Sequence, residues 1–273
     1  PRLLQSDKVQ QTFFHKQTQA YYVGSTNRVA RVFQHVWEYP QLYNQNNSNA
    51  NHTIIQTANG DVYIGSYTGA FTQITTKGIV PMPNERAILP GGLGVGNTIN
   101  FFSENWSGLV QITGTRQRRS LTRLKPKLSN TGFYLTYSRD SSRILAGFGG
   151  DSSFGMMPVK DFIAGSADWT SIGPGNGVKL ANILTLAEDP KGRIIFGRTS
   201  QGWGVYDTIS KKATSYLKSN KQTHIGVMSS FCDSYGTMWL GTDDGLWYYD
   251  GNKTGSITPT SLTQIQHPLL AEK

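Results

Sequence analysis

The sequence predicts an all-β fold, a β-propeller of about six visible blades, each a four-stranded antiparallel sheet. Three observations carry the prediction. The stretch from Val227 to Gly251, VMSSFCDSYGTMWLGTDDGLWYYDG, reads as three short strands separated by Asp-Ser-Tyr-Gly and Asp-Asp-Gly. Turns that tight leave antiparallel neighbours as the only easy pairing. The same phrase returns as ILTLAEDPKGRIIFGRTSQGWGVYD, TIIQTANGDVYIGSYTGAFTQI and TFFHKQTQAYYVGSTNRVARVF, with degraded copies in INFFSENWSGLVQI and YLTYSRDSSRILAGFGGDSSFGMM. Its pivots, Gly24, Gly65, Ser103, Gly147, Gly197 and Gly241, step by about 43 residues, which is the length of four short strands with their turns. Finally, 30 glycines, 11% aromatic and only 16% charged residues suit strands joined by tight turns rather than helices.

A lone meander of this kind cannot bury its faces, so the copies are expected to stack. The 273 residues are read as one propeller domain with blades at about 11–40, 52–80, 87–125, 130–168, 178–219 and 224–260. Whether six blades close the ring, or the array is seven-bladed or larger, is left open by the repeat. Blade one carries Phe13, Phe14, Tyr21, Tyr22 and Val23, and a polar low-complexity loop, YPQLYNQNNSNANH, follows it. The Pro/Gly-rich connection before blade three contains Ala87, Ile88 and Leu89, an apolar run fit for an inner strand. Blade four departs most from the repeat, and its FGGDSSFGMMPVKDFIAGSADW portion reads as an inserted turn. No segment is amphipathic at helical period. Cys232 falls on a strand expected to be buried, as a small core hydrophobe.

FCDSYGTMWLGTDDGL and AEDPKGRIIFGRTSQGW resemble the two-component regulator propeller repeat, because the aspartate and the glycines recur in register, with Trp239 and the Gly241-Thr242 pair of that repeat present in the first. The resemblance is good over two repeats, fair over two and weak over two. It implies the extracytoplasmic sensor region of a bacterial histidine kinase or hybrid two-component regulator, many of which sense glycans. On that reading the segment is not an enzyme, and any kinase lies elsewhere in a membrane-anchored parent. The chain opens with Pro1 and has no apolar run near eighteen residues, in keeping with a soluble periplasmic region excised from such a parent.

The residues themselves offer little catalytic chemistry. The five histidines, at 15, 35, 52, 224 and 267, show no H-E-x-x-H, no metal-ligand spacing and no place beside a serine in G-x-S-x-G. Asp189 and Asp233 each open a turn, the ordinary capping task of aspartate. No metal and no cofactor are expected. Net charge is +9, and six cations, Arg116, Arg118, Arg119, Arg123, Lys125 and Lys127, occur in one run without an acid. That run reads either as a polyanion site or as the outermost strand of blade three, where cations discourage edge pairing. No aromatic interleaves it, so nucleic acid is not an expected partner.

In a propeller the second-to-third strand turns and the blade crossovers gather on one face. Arg28, Tyr67, Trp106, Arg198, Trp203 and Asp243 fall in or beside those turns, and Trp169 and His224 on crossovers. Aromatic faces and polar arms in that pattern suit an oligosaccharide, with the positive charge favouring an acidic one. For each residue a structural role as a loop anchor or solvated tip stays open. The expected partners are this oligosaccharide and a neighbouring propeller or second sensor chain. A free-standing lectin-like propeller or a protein-interaction scaffold is the alternative.

Overall fold

The structure, a computed structural model, describes residues 9–15, 20–25, 29–33, 36–38, 51–66, 71–75, 78–82, 92–102, 109–113, 118–121, 132–149, 154–166, 168–179, 182–216, 226–243 and 245–257. These form six four-stranded antiparallel sheets whose strands pair in chain order. Sheet 1 holds β1 (Val9–His15), β2 (Ala20–Ser25), β3 (Val29–Phe33) and β4 (Val36–Glu38). Sheet 2 holds β5 (Asn51–Gln56), β6 (Val62–Ser66), β7 (Phe71–Thr75) and β8 (Gly78–Met82). Sheet 3 holds β9 (Leu93–Val95), β10 (Thr98–Phe102), β11 (Leu109–Ile112) and β12 (Arg118–Leu121). Sheet 4 holds β13 (Gly132–Tyr137), β14 (Arg143–Phe148), β15 (Phe154–Pro158) and β16 (Thr170–Ile172), with helix α1 (Val159–Ala164) inserted before its last strand. Sheet 5 holds β17 (Ile183–Glu188), β18 (Ile194–Arg198), β19 (Trp203–Asp207) and β20 (Lys212–Tyr216). Sheet 6 holds β21 (Val227–Cys232), β22 (Met238–Thr242), β23 (Gly245–Tyr249) and β24 (Thr254–Ile257).

The chain divides into two compact units, Pro1–Thr136 with Lys160–Trp169, and Tyr137–Val159 with Thr170–Lys273. In the first unit, Ile55, Tyr63, Phe71, Met82, Ile99, Phe101, Val110 and Ile112 form one buried cluster shared by sheets 2 and 3. The Phe71 and Phe101 rings lie 4.6 Å apart within it. A second cluster, Ala20, Ile54, Val62 and Ile64, joins sheet 1 to sheet 2. In the second unit, Ile195, Trp203 and Val205 of sheet 5 meet Val227, Met238, Leu240 and Tyr249 of sheet 6. Each such side chain stabilises the stack by about 1.5–3 kcal/mol when fully buried. The alternation of strand residues directs one face of each sheet to a neighbour.

Three sequence expectations are corrected. The departure in blade four is not an inserted turn: residues 154–158 supply the third strand, and the extra length is α1. Six helical residues are too few for periodicity to reveal, yet α1 buries Phe162, whose carbonyl accepts a hydrogen bond from Gln111 Nε2 at 3.3 Å. The first strand of sheet 3 is Leu93–Val95, and residues 87–89, assigned to it from the sequence, lie outside the described residues. Cys232 is half-buried, packed against the core of sheets 5 and 6 rather than inside it. Of the basic run, Arg118 and Arg119 lie on a sheet edge, since β12 pairs with β11 alone among the strands of its sheet, and Arg116, Arg123, Lys125 and Lys127 lie outside the described residues.

Candidate functional site

The two ends of the sheets differ in chemistry. At the first-to-second strand turns of sheets 5 and 6, aspartates organise the backbone. Asp189 Oδ1 accepts the N–H groups of Lys191 and Arg193, both at 2.9 Å, and Oδ2 receives Arg193 Nε at 2.7 Å. Asp233 repeats the plan: Oδ1 accepts from Tyr235 and Thr237 at 2.9 Å, and Oδ2 from the Trp239 indole at 2.9 Å. The glycine of each turn adopts the left-handed conformation that closes it, with φ of 75° at Gly192 and 87° at Gly236. Both carboxylates therefore hold turns, as the sequence implied.

Charge also ties successive sheets together at this end. Arg143 of sheet 4 reaches Glu188 of sheet 5 at 2.6 Å, and the Arg139 N–H donates to the other Glu188 oxygen at 2.8 Å. The Arg139 side chain continues to sheet 6, donating to Cys232 Sγ at 3.2 Å and to the Asp233 carbonyl at 3.4 Å. Burial pushes the Cys232 thiol up even with Arg139 beside it, which keeps the sulfur in its unreactive form. None of these clasps was legible in advance, because each joins residues about 45 or more positions apart.

At the opposite end, the β18–β19 and β22–β23 turns meet. The Thr199 N–H donates to Asn182 O at 3.2 Å, and the Asp243 N–H to Gly226 O at 3.2 Å. Gly226 lies between the turns: a Cβ there would stand 2.6 Å from the Thr199 carbonyl oxygen and 3.1 Å from both Asp243 carboxylate oxygens. Only glycine permits that approach. Two of the nominated residues, Arg198 and the exposed Asp243, thus belong to turns drawn together over one glycine.

Arg198 is 0% exposed, whereas the sequence reading had it as an arm at a turn. Its Nη2 donates to the carbonyls of Gln201 and Trp203, and its guanidinium lies 5.6 Å from the Phe196 ring. Nε and Nη1 are buried with no hydrogen-bond partner, and no carboxylate among the described residues pairs with the side chain. Desolvation pulls its pKa down to about 10, so at neutral pH it remains a cation with donors to spare. Such a group normally finds a carbonyl, water or an anion.

Two other nominees are core residues, a correction to the sequence reading. Trp203 stacks on Tyr216 at 4.4 Å and lies 5.3 Å from Tyr249, where the pairing of β19 with β18 and β20 turns it inward. Trp169 sits between α1 and β16, within sheet 4 rather than on a crossover, edge-on to Phe162 at 6.0 Å. Both support the fold and present no face to a ligand. Arg28, Tyr67, Trp106 and His224 lie outside the described residues. Among the described residues no cluster of three or more His, Cys, Asp or Glu side chains is placed to hold a metal ion.

No family model matches the chain, and no curated protein matches it by sequence. Solved structures do match. The extracellular domain of the putative hybrid two component system BT3049 from B. thetaiotaomicron superposes with a TM-score of 0.72 at 16% identity, over 91% of this chain and 34% of that one. The corresponding domain of BT4673, also from B. thetaiotaomicron, gives 0.69 at 15% identity, over 93% and 33%. Virginiamycin B lyase from Staphylococcus aureus gives 0.67 at 13% identity, over 90% and 83%. The chain spans about a third of the length of the two sensor chains. At these identities the likeness is one of fold, and the fold is that of the β-propeller.

Proposed function

We propose that this propeller is the extracytoplasmic ligand-sensing region of a bacterial two-component signalling protein, within a membrane-anchored parent, and that it reads an oligosaccharide without catalysing a reaction. The observation that carries the reading is the likeness, over more than nine-tenths of the chain, to extracellular domains of two hybrid two-component systems. Among the described residues no helix is long and apolar enough to cross a membrane, so an anchor in the parent is an expectation of this reading. The rim where the turns of Arg198 and Asp243 meet is the proposed ligand face, and the net charge of +9 favours an acidic glycan. Binding would shift how two sensor chains pack and so bias a kinase across the membrane.

A thermal-shift screen against neutral and uronate-containing oligosaccharides tests this. A ligand at about 100 times its Kd stabilises by about 2.7 kcal/mol, a rise of roughly 5–10 °C for a chain of this size. Arg198→Met is expected to fold normally, because an apolar side chain replaces a buried cation with unpaired donors. Asp243→Lys, at the exposed tip of the same rim, should change the response to acidic oligosaccharides. Silence of the unmodified protein toward every oligosaccharide would remove the glycan reading. A protein-interaction scaffold is the second reading, since YCF48 bound to D1 peptide also matches, with a TM-score of 0.64 at 13% identity. A peptide-dependent shift without a glycan-dependent one would favour it.

A further inference from the structure

Sheet 5 buries a charge that its surroundings leave unanswered. Ile194, Phe196 and Arg198 alternate on the side of β18 that faces sheet 4, where the Phe196 ring lies 5.6 Å from that of Phe154. The Arg198 guanidinium lies beside the same Phe196 ring and the residue is wholly buried. Burial lowers its pKa to about 10, and no nearby carboxylate raises it back. Arg143 and Arg193 of the same unit are treated differently: Glu188 and Asp189 answer them, each at 2.6 Å. A buried cation with no counter-charge is far more costly than a buried polar group, so Arg198 calls for a partner that the described residues do not supply.

The hydrogen bonds already made decide what kind of anion fits. Nη2 donates to the carbonyls of Gln201 and Trp203, while Nε and Nη1 are buried and unpartnered. A guanidinium has two two-pronged edges, Nε with Nη2 and Nη1 with Nη2, and a carboxylate or phosphate bound bidentately takes one of them. Nη2 is spent in both. What remains is a single-point donor, which suits a spherical monovalent ion rather than a planar clasp. Full burial sets the same limit by size, since an oligosaccharide reaches this guanidinium only if the turn above it comes apart. A water molecule would satisfy one donor and leave the charge uncompensated.

We propose that Arg198 holds a buried halide-sized monovalent anion, chloride where that is the abundant anion, at Nη1 or Nε on the side of sheet 5 that faces sheet 4. The ion takes the part that Glu188 and Asp189 play for Arg143 and Arg193. Its effect is local. Arg198 grips the β18–β19 turn through the Gln201 and Trp203 carbonyls, and in that turn Thr199 donates its N–H to Asn182 and sets its own carbonyl over Gly226. Neutralising the guanidinium therefore steadies the rim from beneath. The inference rests on burial and hydrogen bonding within sheet 5, and it stands whether or not the rim takes an oligosaccharide.

Thermal unfolding of the full 273-residue chain, with sodium chloride exchanged for sodium gluconate at constant ionic strength, tests the proposal. Gluconate is a carboxylate too large for the site. Chloride at about 20 times its Kd should raise the midpoint by roughly 4–7 °C, along a saturating single-site curve that bromide reproduces. In Arg198→Met the same exchange should move the midpoint by less than about 1 °C. An equal rise in both proteins means that anions merely screen the net charge of +9, and overturns the proposal, as does no rise in the unmodified protein. Anomalous diffraction from crystals grown in bromide locates the ion without any variant, and decides the matter should Arg198→Met fail to fold. A peak within hydrogen-bonding reach of Nη1 or Nε is expected, and its absence sinks the assignment whatever the midpoints do. A peak there without chloride-dependent stability marks an adventitious ion only, and overturns the proposal too.

Discussion

Asp233→Ala should destabilise the protein far more than removal of another turn aspartate in the same sheet. The Asp233 carboxylate is 2% exposed and accepts three hydrogen bonds, from the N–H groups of Tyr235 and Thr237 and from the Trp239 indole. Hydrogen bonds to a charged group contribute about 1.5–3 kcal/mol each, and removing the burial cost of the carboxylate returns part of that sum. The Tyr235 N–H lies in an exposed turn and can turn to water. The net cost is then about 2–4 kcal/mol, or roughly 5–15 °C in thermal midpoint for a chain of this length. Asp250 makes the useful comparison: its carboxylate accepts the N–H groups of Asn252 and Lys253, but at an exposed turn. Asp250→Ala should cost no more than about 1 kcal/mol. Urea unfolding of both variants, followed by tryptophan fluorescence and circular dichroism, supplies the comparison. If Asp233→Ala lies within 0.5 kcal/mol of Asp250→Ala, the argument that burial sets the worth of these turns fails, where that margin is about the scatter of surface substitutions.

Three further outcomes follow from the same geometry. Glu188→Ala strands Arg143 and the Arg139 N–H at the junction of sheets 4 and 5 and should cost about 2–3 kcal/mol, with Glu188→Gln costing about half as much, as read from urea midpoints. Gly197→Val drives a branched side chain into Thr185 and Val227, where even a Cβ would stand 2.6 to 2.7 Å away, and should abolish cooperative unfolding or lower the stability by more than about 3 kcal/mol, as read by calorimetry. Asp140 is held down to about 2 by hydrogen bonds from Ser138 first and Ser142 next, and Asp207 and Asp250 are also lowered. Because the folded values lie below the unfolded ones, their stabilisation is complete above pH about 4 and is lost as pH falls toward 2. The thermal midpoint should therefore drop across that window, and Asp140→Asn should flatten the drop; an unchanged slope would count against it.

The repeat was legible because its signals are local. Asp189 and Asp233 bond to backbone two and four residues away, and Gly192 and Gly236 relieve strain in the same turns, so the four-strand phrase could be read without knowing what it packs against. The candidate site was legible only in part. Arg198 and Asp243 do lie at the turns in which the sequence placed them, whereas Trp203 and Trp169 are core residues. A tryptophan beside a turn looks the same in sequence whether strand register sends it inward or outward.

By itself the sequence determined an all-β repeat of six four-stranded sheets and the turns that close them, which depend on contacts within a few residues. Only the tertiary structure decided which polar groups are buried, as at Arg198, and which charges clasp across sheets, as Glu188 does with Arg143. Burial and pairing of that kind depend on surfaces more than 40 positions apart in the chain, and desolvation acts on whatever the stacking of sheets brings together.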